Sequence, residues 1–283
     1  MPPSNDRLLR GIAVSAPYRV AVADTSNTVR EALERHGAQN GAADALARGM
    51  TGLTLMTVMD KEWYRLSAQW LGRGPLGTLN VDLRAPGDVR AFATGADYVG
   101  PLDGALGAGV LSLMRQKEGG QFSQGQVPLA SSDVDGDLEA YLDRSDQVPT
   151  VLRVMCSQWE SGRPGRVQGV LVQAMPGATR GGLRDVVSDA LLARTLGSDD
   201  LTALAALAVP ALGEIEWLGD DPVRWACGCS EQRVFDGVRL LGAAEIDDMI
   251  AKQEQPEVRC DYCTRVYVVH TEALRSLRAT FED

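Results

Sequence analysis

Histidine is nearly missing from this chain of 283 residues, with only His36 and His270 present. Imidazole-based metal sites and Cys-His catalytic pairs therefore have almost nothing to draw on, and no motif links either histidine to Cys156. Aromatic residues make up 5%. Lysine and arginine nowhere form a clustered block, and the formal net charge is −10. An acidic chain without an aromatic-basic surface repels phosphate backbones, so no nucleic-acid partner is expected. No stretch approaches the roughly 18 apolar residues that suggest a membrane span. The opening MPPSNDRLLRGIAVS has no long apolar core of the signal-peptide kind. The expectation is a cytoplasmic protein with no membrane partner.

Nucleotide-binding spacing is absent too. The glycines of GRGPLG and GAGVLSLM do not sit in a strand-turn-helix pattern and read as turns. Asp133, Asp135 and Asp137 alternate, yet the twelve-residue calcium loop ending in Glu is missing. They read as a solvated loop capping the helix that follows. No hydrolase, transferase or kinase motif is found, so the chain is not expected to be an enzyme.

What is there is an ordinary globular composition, 45% hydrophobic, long enough for one large domain or two smaller ones. Apolar or alternating runs at residues 7–14, 18–23, 63–84, 89–93, 107–114, 125–129, 151–155 and 167–173 predict strands. Turns fall at residues 72–77 and 162–165. Residues 42–59 read as a buried Ala-, Leu- and Met-rich helix. Residues 133–144 read as a second helix, with Leu138, Tyr141 and Leu142 on one face. This predicts an α+β class: a mixed N-terminal domain with a large β-sheet over residues 1–178.

Residues 179–219 change character. Leu183, Val186, Val187, Ala190, Leu191 and Ala193 have helical spacing, and Leu201, Leu204, Ala205 and Leu207 repeat it. Ser198 or Asp199 can cap the second helix. The faces are built largely from Ala and bury little area per residue. Two readings stand: an ordinary packed pair, or a marginal linker that comes loose.

Residues 220–283 form a small C-terminal domain holding four of the five cysteines. Cys227 and Cys229 make a C-x-C pair. Cys260 and Cys263 make a C-x-x-C pair thirty residues further on. A tetrahedral Zn2+ ion takes four thiolates from two such short loops. The insert reads as two short helices, with Ser230 capping the first, Phe235 and Leu240 facing inward, and residues 243–250 forming the second. Residues 266–269 read as a strand leaving the knuckle, and His270 as surface. Cys156, in VLRVMCSQW, reads as a small buried hydrophobe. One reading of the cluster is a constitutive structural clamp. The other is a switch: a C-x-C disulfide closes a small, labile ring across Gly228, and metal ligation keeps the thiols in their reactive form.

At these residues the sequence resembles the redox-regulated heat-shock chaperones of the thirty-three-kilodalton class. Cys227, Cys229, Ser230 and Arg233, followed by Cys260, Tyr262 and Cys263, carry the likeness. So do LLRGIAVS, GRGPLGTLNVDLRAPGDVRAFA, YLDRSDQVPT and QGVLVQAMPGA, in the same order. The resemblance departs at Ser123 and Gln126, where an aromatic and an apolar residue are expected. It implies an ATP-independent holdase of the stress response. The reduced form with Zn2+ on Cys227, Cys229, Cys260 and Cys263 is inactive. Hypochlorite, or peroxide with heat, releases zinc and forms disulfides within each pair. The linker of residues 179–219 then unfolds, and unfolding or oxidatively damaged client proteins are bound. Oxidised members form homodimers. Two other readings remain beside it. One is a zinc-stabilised binding module without switching. The other is a thiol oxidoreductase using Cys260 and Cys263, which would want that pair at a helix start after a strand.

Overall fold

The computed structural model describes residues 5–59, 63–129, 133–178, 183 and 200–281. They fall into two units, Met1–Ala226 and Cys227–Asp283. Among the described residues the fold is α+β, with two antiparallel-rich sheets and a small hairpin.

Period-two alternation governs the first sheet. Its strands are β1 (Arg7–Ala13), β2 (Tyr18–Asp24), β8 (Thr150–Glu160), β9 (Arg163–Ala174) and β10 (Ile215–Pro222), in the order β10-β1-β2-β9-β8. Both faces are apolar, as a sheet covered on two sides requires. Ala21, Ala23, Leu152, Val154, Val167 and Leu171 enter one core. Val20, Val22, Val151, Met155, Val170 and Val172 enter the other. The β8–β9 turn lies at Ser161 and Gly162, both with positive φ, one position earlier than the expected residues 162–165. Gly165 is inside β9.

The second sheet runs β11-β5-β4-β3-β6-β7. Its strands are β3 (Trp63–Gly72), β4 (Thr78–Arg84), β5 (Asp88–Ala93), β6 (Gly109–Lys117), β7 (Phe122–Pro128) and β11 (Arg224–Trp225), the last parallel to β5. Helix α2 (Asn40–Leu55) packs against strands of both sheets and is buried over most of its length. Small residues permit this close approach. A Cβ at Gly49 would lie 3.0 Å from Val81, and one at Gly52 would lie 2.6 Å from Leu138. Helix α1 (Ser26–His36), which hydrophobic periodicity did not single out, starts where the Asp6 carboxylate accepts the Asn27 and Thr28 backbone N–H groups. Asp24 accepts the Ser26 N–H locally at 3.0 Å, and Asp6 completes the cap from further back in the chain.

Helix α3 (Val134–Arg144) puts Leu138, Tyr141 and Leu142 into the core as expected. The acidic run before it is not a solvated loop. Asp135 and Asp137 are buried in the first turn. Asp135 accepts the Val154 N–H at 2.8 Å and pairs with Arg48 at 2.8 Å. An acidic run signals solvent unless a cation comes from elsewhere in the chain, and here Arg48 of α2 supplies it.

The second face of the five-stranded sheet is covered by Leu183 and by the segment that contains α4 (Leu201–Ala208). Leu201, Leu204, Ala205, Val209 and Leu212 pack there. The cap is Asp200, one residue past those expected, and its carboxylate accepts the Thr202 and Ala203 N–H groups. Val186, Val187, Ala190, Leu191 and Ala193, and the side chain of Leu207, lie outside the described residues.

The second unit is small. It holds α5 (Glu231–Arg239), α6 (Ala243–Ala251), the hairpin of β12 (Glu257–Arg259) and β13 (Val266–Val268), and α7 (Thr271–Ala279). Ser230 caps α5 by accepting the Arg233 N–H at 3.3 Å. Val238, Ile246, Val269 and Leu274 make the core, with Phe235 packed beside them. Leu240, expected to face inward, is 88% exposed. Helix α5 ends at Arg239, and the turn that follows carries Leu240 off the apolar face.

Candidate metal centre

Two short loops bring the four cysteines of the second unit together. Cys227 and Cys229 occupy the extended stretch just before the Ser230 cap. Cys260 and Cys263 sit in the turn between β12 and β13. The turn is closed by Cys260 N–H donating to Arg265 O at 2.9 Å and by Thr264 N–H donating to Cys260 O at 2.8 Å. Thr264 adopts φ +60°, which folds the chain tightly enough to aim both thiols the same way.

All four sulfurs lie within 4.8 Å of one another. Cys227 Sγ approaches Cys260 Sγ at 3.7 Å, and Cys229 Sγ approaches Cys263 Sγ at 3.2 Å. Four sulfurs about 2.3 Å from one tetrahedral centre would stand roughly 3.8 Å apart. The donor set, all thiol and drawn from two loops, therefore fits a soft metal ion held in a closed four-ligand shell. His270 stays outside it, exposed, with Nδ1 3.3 Å from Gln255 Oε1.

The four thiols differ in how readily they ionise. Burial raises Cys263, and the neighbouring thiols add to it, pushing it up to about 12. Burial also raises Cys260. At Cys229 burial acts in the same direction, but hydrogen bonds from Tyr267 and the other thiols outweigh it and bring the group down to about 7. A cation bound among the sulfurs would hold all four as thiolates.

Other candidates fall elsewhere. Cys156 is partly buried against the main core, and burial pushes its thiol well up, so it is inert where it stands. The Cys260–Cys263 turn leads into β13 and not into a helix, which removes the setting a thioredoxin-like oxidoreductase needs. Ser123 and Gln126, where the resemblance departs, lie on β7, an edge strand. Gln124 and Gln126 reach Ser112 Oγ at 3.1 and 3.5 Å, so an amide-hydroxyl network stands there. No helix among the described residues is long and apolar enough to cross a membrane. One participant was missed by the sequence: Tyr267, whose hydroxyl donates to Cys229 Sγ at 3.0 Å. Only its spacing from Cys263 hinted at it.

A two-sheet α+β unit followed along the chain by a four-thiol unit defines the class, a two-unit protein with a candidate metal centre in its smaller unit. The profile of the family described as Hsp33 protein matches residues 6–270, and the chain belongs to that family of chaperones. It is 34% identical over 301 residues to a 33 kDa chaperonin of Thermus thermophilus, covering 96% of this chain and 86% of that protein. It is 31% identical over 297 residues to the 33 kDa chaperonin of Nostoc punctiforme, covering 98% and 97%. The crystal structure of the 33 kDa chaperonin from Thermotoga maritima superposes with a TM-score of 0.79 at 21% identity, over 99% of this chain and 100% of that one. That structural likeness supports the fold.

Proposed function

We propose that this protein is a redox-regulated, ATP-independent holdase in which Cys227, Cys229, Cys260 and Cys263 hold Zn2+ and act as the switch. The observation that carries the reading is the four-sulfur cluster, whose donor set is entirely oxidisable. Bound zinc supplies a countercharge that keeps the four thiols ionised and the second unit folded. Two thiolates and one hypochlorous acid give one disulfide, one chloride and one hydroxide, so two equivalents convert both pairs. A disulfide sulfur carries no negative charge and is a poor ligand, so the ion is released. The family resemblance supports disulfides within the pairs, Cys227 with Cys229 and Cys260 with Cys263, although the close sulfur approaches in the reduced cluster run across them.

The client surface follows from the covered sheet face. Helix α4 has eight residues, below the roughly 12 to 15 that an isolated helix needs in water. It survives by packing Leu201, Leu204 and Ala205 on the apolar residues of β2, β8 and β9. If residues 179–219 come loose, Val20, Val22, Val151, Val170 and Val172 become an open apolar patch. Such a patch binds unfolding chains without nucleotide. Oxidised chains pair as homodimers, and the protein acts in the cytoplasm during stress.

Metal analysis with thiol titration tests this. The reduced chain should carry one zinc. Hypochlorite should release it while four thiols disappear and the thiol of Cys156 remains. A reduced chain without zinc, or zinc retained after oxidation, would refute the switch. Retained zinc would favour the constitutive binding module.

A further inference from the structure

The cysteines of the cluster do not receive the same hydrogen bonds. Cys260 receives the backbone N–H groups of Tyr262 and Cys263, and Cys263 receives that of Arg265. Those donors belong to the knuckle turn itself. Cys229 is served by a side chain, with the Tyr267 hydroxyl donating to its Sγ at 3.0 Å. Tyr267 is the middle residue of β13, held in register opposite Val258 of β12. Arg265, in the turn just before the strand, hydrogen-bonds the Tyr267 side chain through its own. Neither residue is needed to complete a four-thiolate shell.

We propose that Tyr267, held by Arg265, is a positioning residue that restrains oxidation of Cys229 and so sets the oxidant dose at which the cluster opens. This rests on the redox-switch reading above. A hydroxyl donating to a metal-bound thiolate withdraws charge from sulfur and lowers its nucleophilicity toward an electrophilic oxidant. With hydrogen peroxide, the Cys229 thiolate attacks one peroxide oxygen, the O–O bond breaks, and a sulfenic acid and hydroxide form. A neighbouring thiolate then attacks the sulfenic sulfur, expelling a second hydroxide and closing the disulfide. The first of these steps is the one the phenol slows.

Zinc release from the reduced, zinc-loaded full chain under excess hydrogen peroxide with mild heat, followed with a metallochromic dye, tests the proposal. Tyr267→Phe should speed release about tenfold, and Arg265→Gln should speed it less, in the same direction. In the cobalt-substituted chain the sulfur-to-metal charge-transfer band should move to lower energy in Tyr267→Phe. A merely structural role would lower the melting temperature without moving that band. If Tyr267→Phe does not fold, the Arg265→Gln rate decides. Wild type that releases zinc, with both variants at its rate and an unshifted band, overturns this inference alone. Wild type that keeps its zinc under peroxide with heat overturns the switch and this inference with it.

Discussion

Stripping the proposed zinc from the reduced chain should unfold the second unit and leave the first intact. The core of that unit is four buried side chains, Val238, Ile246, Val269 and Leu274. At about 2 kcal/mol each they contribute on the order of 8 kcal/mol of gross apolar burial. Ordering the backbone costs about 1 kcal/mol or more per residue, so a core of this size does not hold so small a unit by itself. Metal-coupled folding contributes about 10 kcal/mol or more in domains of this kind, at least as much as the core. The first unit draws on a far larger cluster around α2 and both sheets. Hydrogen exchange with mass detection reads the difference by segment. After chelation under reducing conditions, amides of α5, α6 and α7 should exchange at nearly unprotected rates, while those of β3, β4 and β9 stay protected. Undiminished protection across residues 231–279 in the metal-free chain would refute the reasoning.

Other consequences follow from the first unit. Arg48→Met leaves the buried Asp135 carboxylate without its cation and should cost about 3 kcal/mol by denaturant unfolding. Burial and Asp135 push the Asp133 carboxyl up to about 7. A raised acid stabilises the fold when protonated, so this contribution is full below about pH 4 and is lost as pH rises toward 7. Asp133→Asn should flatten the melting temperature between pH 5 and 8. Asp200→Ala removes both side-chain hydrogen bonds of the α4 cap. It should lower the temperature at which residues 201–208 lose exchange protection, and with it the oxidant dose needed for client binding. Gly41→Ala forces a Cβ to within 2.5 Å of Gly100 O and should cost about 1 to 3 kcal/mol in thermal unfolding.

Legibility in the sequence followed the range of the interactions. Strand alternation and the α2 composition are local, so the buried helix and most strands between residues 7 and 174 were readable in the sequence, whereas β10 and β11, one in each large sheet, were not expected as strands. The cysteine spacing, which places four sulfurs on two loops, was readable too. What stayed hidden depends on partners distant in sequence. The acidic run at Asp135 looks solvated until Arg48 is placed beside it. Helix α1 has only Asp24 as a local acceptor, and its Asn27 and Thr28 N–H groups depend on Asp6. Leu240 carries an apolar side chain in a helical pattern, yet the helix ends one residue earlier. The role of Tyr267 appears only once the β12–β13 hairpin swings its hydroxyl over Cys229.

In the proposed function, oxidation of the cluster turns on client binding. The most direct test is light scattering from a chemically unfolded client diluted into buffer with this protein, either reduced and zinc-loaded or treated with hypochlorite. Suppression of aggregation by the oxidised form alone is the predicted result. Equal behaviour of the two forms would contradict it and leave the four cysteines as a structural clamp.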